Sequence, residues 1–212
     1  MTTNSKLYVY AADTNASFPE YGALVSIASN MVVGPSNCWV YPGVWNNVNT
    51  NKTLGMVQFR MNNLNVTSNS GFSANSAGYS GGKTNLGFHG FGPGGGYNQP
   101  NRAGGGGYGG TGGYFYASGP YGLPYGSATN SNRHGSGGSI SGDDRRWGSP
   151  AGNGGGAIWI QSLGDVTMDG TLQADGENNA AYNGPGSGGG ILVQAGRGFS
   201  GASGASISAK GG

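Results

Sequence analysis

GAIWIQSLGDVTMDGTLQADG, Gly156–Gly176, decides how this chain folds. It holds a glycine, a strand of alternating apolar residues, a second apolar pair, another glycine, and a short strand that ends in alanine and a polar residue. The same order recurs in GMVQFRMNNLNVTSNSGFSAN (Gly55–Asn75) and, with a two-residue adjustment, in GILVQAGRGFSGASGASISAKG (Gly190–Gly211). A weaker match, GALVSIASNMVVGPS (Gly22–Ser36), keeps the opening strands without the closing one and reads as a degenerate capping turn. Each copy is one ~20-residue coil, too small to bury an apolar face alone, so neighbours must stack into a parallel β-solenoid.

Alternation within the copies assigns the faces. Ile158 and Ile160 against Trp159 and Gln161, and Val57 and Phe59 against Gln58 and Arg60, place one set inward and the other outward. An antiparallel sandwich accommodates the same alternation. The direct, unmirrored order of the copies favours the solenoid.

Between the first and second full copies lies a segment of a different kind. From Gly78 to Gly156, 29 of 79 residues are glycine, none is valine, and seven of the twelve tyrosines fall within it. The chain therefore divides into an N-terminal β region with the first coils (1–77), a glycine-rich insertion with aromatic loops (78–155), and C-terminal coils (156–212). Forty-eight glycines in 212 residues exclude a helical bundle, because each glycine costs a helix about 1 kcal/mol relative to alanine. The expected class is all-β with almost no α-helix.

Glycine and serine commonly make a flexible linker. Two features favour order instead. Phe88, Phe91, Tyr97, Tyr108, Tyr114, Phe115, Tyr116, Tyr121, Tyr125 and Trp147 interleave the glycines, and the runs GPGGG from Gly92, AGGGGYGGTGG from Ala103, GSGG from Gly135 and AGNGGG from Ala151 recur at fairly regular intervals. Left-handed threefold glycine helices of the polyglycine-II type, bonded side by side, would pack such runs as rods. The loops between them, Tyr97–Arg102, Tyr114–Asn132 and Ile140–Pro150, become presentation platforms.

Ten Lys and Arg against eight Asp and Glu leave no basic stripe for a phosphate backbone, so nucleic acid is not an expected partner. No stretch is apolar enough for membrane insertion or a secretory signal. Cys38 has no second cysteine to pair with in the chain and reads as a small buried side chain. The histidines, His89 and His134, stand in no metal-ligand or nucleophile pattern, so no catalytic residue, metal or cofactor is expected. Asp165 and Asp169 lie at a strand turn, and Asp143 and Asp144 precede Arg145 and Arg146; a paired-carboxylate glycosidase is the weaker reading of these acids.

Binding suits the composition better. YFYASGPYGLPYGSATNSNRH (Tyr114–His134) is built from Tyr, Ser, Gly and Asn, the residues of adaptable combining surfaces. Tyr97, Tyr114, Phe115, Tyr116, Tyr121, Tyr125, His134 and Trp147 are the candidate ligand contacts. Glycine runs that lead into an apolar strand, GNGGGAIWIQ and GSGGGILVQ, resemble the glycine-rich domains of bacteriophage tail-fibre proteins. The alternation of glycine rods with aromatic, Asn-rich loops over residues 78–190 is similar to the tip adhesins of T-even-type phages. The resemblance implies a non-enzymatic receptor-binding protein on a virion surface. Its expected partners are a cell-surface glycan or outer-membrane protein, other fibre subunits, and further copies of itself. The alternatives are a structural filament subunit and a tailspike-like depolymerase acting through Asp165 or Asp169.

Overall fold

The computed structural model describes residues 3–12, 22–44, 54–83, 88–99, 102–113, 121–141, 150–178 and 183–212. Among them there is no helix. Strand β1 (Lys6–Ala11) is one side of a coil. Each of the next four coils then contributes three sides: β2 (Ala23–Ser26), β3 (Met31–Val33) and β4 (Trp39–Val44); β5 (Val57–Met61), β6 (Leu64–Val66) and β7 (Gly71–Ser73); β10 (Ala157–Ser162), β11 (Val166–Met168) and β12 (Thr171–Gln173); β13 (Gly190–Ala195), β14 (Phe199–Ser200) and β15 (Ser206–Ser208). Between the second and third of these coils lies the short hairpin β8 (Asn98–Gln99) and β9 (Arg102–Ala103).

Three parallel sheets result, in the orders β1-β4-β7-β12-β15, β2-β5-β10-β13 and β3-β6-β11-β14. They form a three-sided solenoid of about five turns. Register is set by the apolar ladders: Val25, Phe59, Ile160 and Val193 align across one sheet, and Val40, Phe72, Leu172 and Ile207 across another. A one-residue slip would turn each ladder to solvent. Phe59, Phe72, Ile158, Ile160 and Leu172 are fully buried, and Phe59 meets Phe72 edge to face at 5.2 Å. Each such side chain contributes about 1.5–3 kcal/mol by leaving water.

The segment from Gly22 is a complete coil and not a degenerate cap. Its closing side is β4, WVYPGV, which pairs with β1 and β7 in the first sheet. Pro42 and Gly43 obscure it in the sequence, yet every second residue, Val40, Pro42 and Val44, is buried. Cys38 is buried within this coil, its thiol donating to Gly34 O at 3.2 Å.

Corners are turned by asparagine. Asn4, Asn37 and Asn69 recur at one corner, each with positive φ (61, 51 and 58°), a conformation Asn tolerates. Asn37 Nδ2 donates to Asn4 Oδ1 at 3.0 Å. At the next corner Asn63 Nδ2 donates to Asn30 Oδ1 at 2.7 Å. Two corners are therefore short and ladder-bonded, and every long connection leaves from the third, after β1, β4, β7 and β12. That one corner places the whole glycine-rich excursion.

Candidate functional site

The rods are held by their backbones. Segment 135–139 is central, and its bonding partner changes at every residue. Gly135 N donates to Gly155 O, Ser136 N to Ser187 Oγ, Gly137 N to Phe91 O, Gly138 N to Gly152 O and Ser139 N to Gly104 O. The carbonyls of the same five residues accept from Tyr79, Ser187, Gly96, Gly82 and Gly184. A backbone that bonds outward on all sides, with no bond to its own turns, behaves as a rod held by its neighbours. Segments 78–82, 88–91, 94–98, 103–107, 151–156 and 184–189 surround it.

Glycine is required here by contact. A Cβ at Gly137 would overlap the Ser80 carbonyl, and one at Gly154 the Gly135 carbonyl. The two glycine triplets that re-enter the solenoid, Gly154–Gly156 and Gly188–Gly190, lie against each other with Gly189 over the Gly156 carbonyl. Two of the glycine runs are bent. Gly92, at φ 98°, and the bond from Gly95 N to Gly92 O make GPGGG a reversal followed by a rod, and the run from Ala103 reverses at Tyr108–Gly110.

The block is fastened to the solenoid at its base. Tyr79 packs with Val44 and Leu54, and Phe91 covers them. His134 is 4% exposed, with Nε2 on Gly55 O at 3.0 Å and its ring edge-on to Tyr79 at 6.4 Å. Burial drives its pKa down to about 4 against the opposing pull of the Gly55 and Ala77 carbonyls, so the imidazole is neutral. Tyr125 donates its hydroxyl to His134 O and accepts from Ser136 Oγ at 3.0 Å, and its ring meets Tyr108 edge-on at 5.1 Å. Burial raises the pKa of both tyrosines. His134 and Tyr125 thus belong to the joint between block and solenoid, where packing and backbone bonds occupy them. Segment 131–134 also lies across the start of the second sheet, with Ser131 Oγ on Ile191 O at 3.0 Å. Gln58, expected to face solvent, is 2% exposed and bonds Gln161 at 3.1 Å.

The opposite end collects the outer ends of several described rods. Reading outward along the central rod, Gly135 lies beside Gly155 and Tyr79, while Ile140 lies beside Phe88 and Asn98. Phe88, Tyr97, Asn98, Ser141 and Asn183 all sit at the outer level, Ser141 N donating to Asn183 Oδ1 at 3.0 Å. Pro150, joined to Ala151 beside Gly82, stands there too. Tyr97 is half exposed but held. Its carbonyl accepts from Ser139 Oγ at 2.7 Å and its ring crosses His89 at 5.5 Å, while His89 Nδ1 accepts from Asn98 N at 2.8 Å. Tyr121 is exposed next to Gly122, which donates to Gly105 O.

Of the eight candidate contacts, the structure puts Tyr97 and Tyr121 on the outer half of the rods and Tyr125 and His134 at the base. Tyr114, Phe115, Tyr116 and Trp147 lie outside the described residues. His89 and Asn98 were absent from the candidate set although they frame Tyr97. The FHGFG spacing beside a glycine reversal was the available signal.

The acidic side chains of the third coil join coils and rods. Asp165 pairs with Arg197 at 3.2 Å, Asp169 Oδ1 accepts from Ala202 N at 2.8 Å, and Asp175 Oδ1 accepts from Ser208 Oγ and Lys210 N. Glu177 Oε2 holds Asn153 through its N and Nδ2 at 3.1 and 2.8 Å. Among the described residues no cluster of His, Cys, Asp or Glu could hold a metal, and no helix is long and apolar enough to cross a membrane. The chain matches no protein-family model, no curated protein and no solved structure.

Proposed function

We propose that the chain is a non-enzymatic receptor-binding protein of a virion surface, a fibre-tip adhesin whose rod ends contact a cell-surface glycan or an outer-membrane protein. One observation carries this reading: a single solenoid corner feeds a bundle of backbone-bonded rods, and described rod ends gather on its far face beside Tyr97. A scaffold of backbone-bonded rods that holds Tyr97 against His89 and Ser139 suits recognition, since little order is lost on binding. Tyrosine offers a sugar an aromatic face for its C–H groups and a hydroxyl for its polar rim.

The test is adhesion of the purified chain to a panel of bacterial strains. Tyr97→Ala and Tyr121→Ala should each weaken adhesion to a bound strain about tenfold, the scale of a contact worth about 1.4 kcal/mol, with unfolding unchanged. Undiminished adhesion by both variants counts against the proposal. A filament subunit is the second reading. It draws on Phe199 and Ile207, which continue inward-facing ladders at the last coil yet are 53% and 55% exposed. Concentration-dependent polymers of the purified chain would favour it.

A further inference from the structure

Between the sheet of β3-β6-β11-β14 and the sheet of β1-β4-β7-β12-β15, three of the four complete coils turn with four or five residues, 34–38, 67–70 and 201–205. The third coil turns there with two, Asp169 and Gly170. So short a turn cannot reach as far out as its neighbours, and it leaves a recess of about 640 Å³ between them. The recess lies on a different corner from the one that feeds the rods. Gly170 keeps its floor low, since a Cβ there would meet the carbonyls of Ser70 and Thr67. The volume is in the range of ligand sites, about 300–1,000 Å³.

The lining joins an aromatic ring to polar groups that the fold leaves unspent. Trp39 is half-buried, and its Nε1 donates to Asn37 Oδ1 at 3.2 Å, which fixes the indole. Trp39 is in register with Gly71, and Gly71 with Thr171. A Cβ at Gly71 would meet the Thr171 carbonyl, so the position between the indole and Thr171 carries no side chain. Asp169 Oδ1 accepts from Ala202 N at 2.8 Å, while Oδ2 takes no hydrogen bond or ion pair from the described residues. Asp169 is the one charged residue of the described lining, which also holds Ser68 and Asn69.

We infer that this recess binds a neutral saccharide. The indole supplies an aromatic wall for the C–H groups of a sugar ring. Asp169 Oδ2 accepts from sugar hydroxyls in hydrogen bonds strengthened by its charge. The Asn69 amide and the hydroxyls of Ser68 and Thr171 each donate and accept, as a polyol requires. A lone carboxylate with no cation in the described lining repels phosphate, sulfate and acidic sugars. From Trp39 in the first coil to Gly204 in the fourth the recess spans three strand spacings, about 14 Å, so a short oligosaccharide lies along the solenoid axis. Glycoside hydrolysis takes two carboxylates, and Asp165 is paired with Arg197 at another corner, so the site holds its ligand without cleaving it. It lies apart from the Tyr97 surface and does not depend on its role.

The experiment is an NMR titration of the full chain with neutral gluco-, galacto- and manno-oligosaccharides, alongside an acidic oligogalacturonate. A neutral oligosaccharide should shift the Trp39 indole N–H and the amides of Asp169, Gly170 and Ala202, and the oligogalacturonate should not. Trp39→Ala and Asp169→Asn should each weaken binding at least tenfold. Asp169→Asn should keep the wild-type melting temperature, because an amide oxygen still accepts from Ala202 N, and Tyr97→Ala should leave this binding unchanged. Absence of shifts with every neutral oligosaccharide at millimolar concentration overturns the inference, as does binding of the oligogalacturonate alone. Wild-type affinity in Asp169→Asn overturns it too, and so does the appearance of new reducing ends, which would make the site hydrolytic.

Discussion

The solenoid and the rod bundle reach order by opposite means. In the solenoid, side chains do the work: Phe59, Phe72, Ile160 and Leu172 fill the interior, and stability scales with apolar area removed from water. In the bundle, the absence of side chains does it. Backbones come close enough for N–H···O bonds in several directions, each modest on its own. The glycine chain entropy lost on ordering is large, so the bundle is held where the solenoid lends it anchors, at Tyr79, His134 and the triplets that lead into β10 and β13. One chain thus holds two regions with opposite sensitivities to substitution.

Adding a side chain is the strongest way to break that contrast. Gly137→Val, in the central rod, should cost about 5 kcal/mol or unfold the block outright, read as a fall in the urea midpoint and as new protease cleavage between residues 78 and 155. Removing a side chain should do the corresponding damage in the solenoid. Phe59→Ala should cost about 4 kcal/mol through the cavity it leaves, read by the same denaturation, while Ala substitutions on exposed rod loops leave the midpoint in place.

The joint between the regions titrates. His134 is neutral and buried with a pKa of about 4 against an unfolded value near 6.5, so the unfolded chain binds the proton more readily. Its contribution is complete above pH 6.5 and is lost as pH falls towards 4, about 3 kcal/mol in all. Denaturation midpoints at pH 7 and pH 4, compared with those of His134→Asn, isolate this share: the wild type should lose more on acidification. An equal loss in both would show that the joint does not carry the dependence. The smallest stability effect is expected at Tyr97→Ala, within about 0.5 kcal/mol as for an exposed side chain, and a large one would mean the Tyr97 ring is structural.

Some of this was legible in the chain. Direct repeats with period-two alternation specify a parallel solenoid because a mirrored sheet would reverse their order, and Ile158, Ile160, Val57 and Phe59 point inward as their spacing implies. The coil closed by WVYPGV was missed because proline and glycine usually interrupt strands, and here the paired neighbours β1 and β7 keep the segment extended. His134 and Tyr125 were grouped with the surface aromatics because composition carries no depth. Only the fold shows that they sit at the base of the rods.

By itself the sequence determined the strand periodicity, the stacking of like coils and the presence of a region that cannot form a side-chain core. These follow from local spacing, since an inward residue every second position and the runs of glycine are written along the chain. The tertiary structure alone decided that every long excursion leaves one corner, that segment 135–139 is the hub of the rods, and that His89 and Asn98 brace Tyr97. The physical reason is that backbone-to-backbone bonding has no sequence signature: every glycine offers the same donor and acceptor, and only the packed arrangement selects which neighbour takes them.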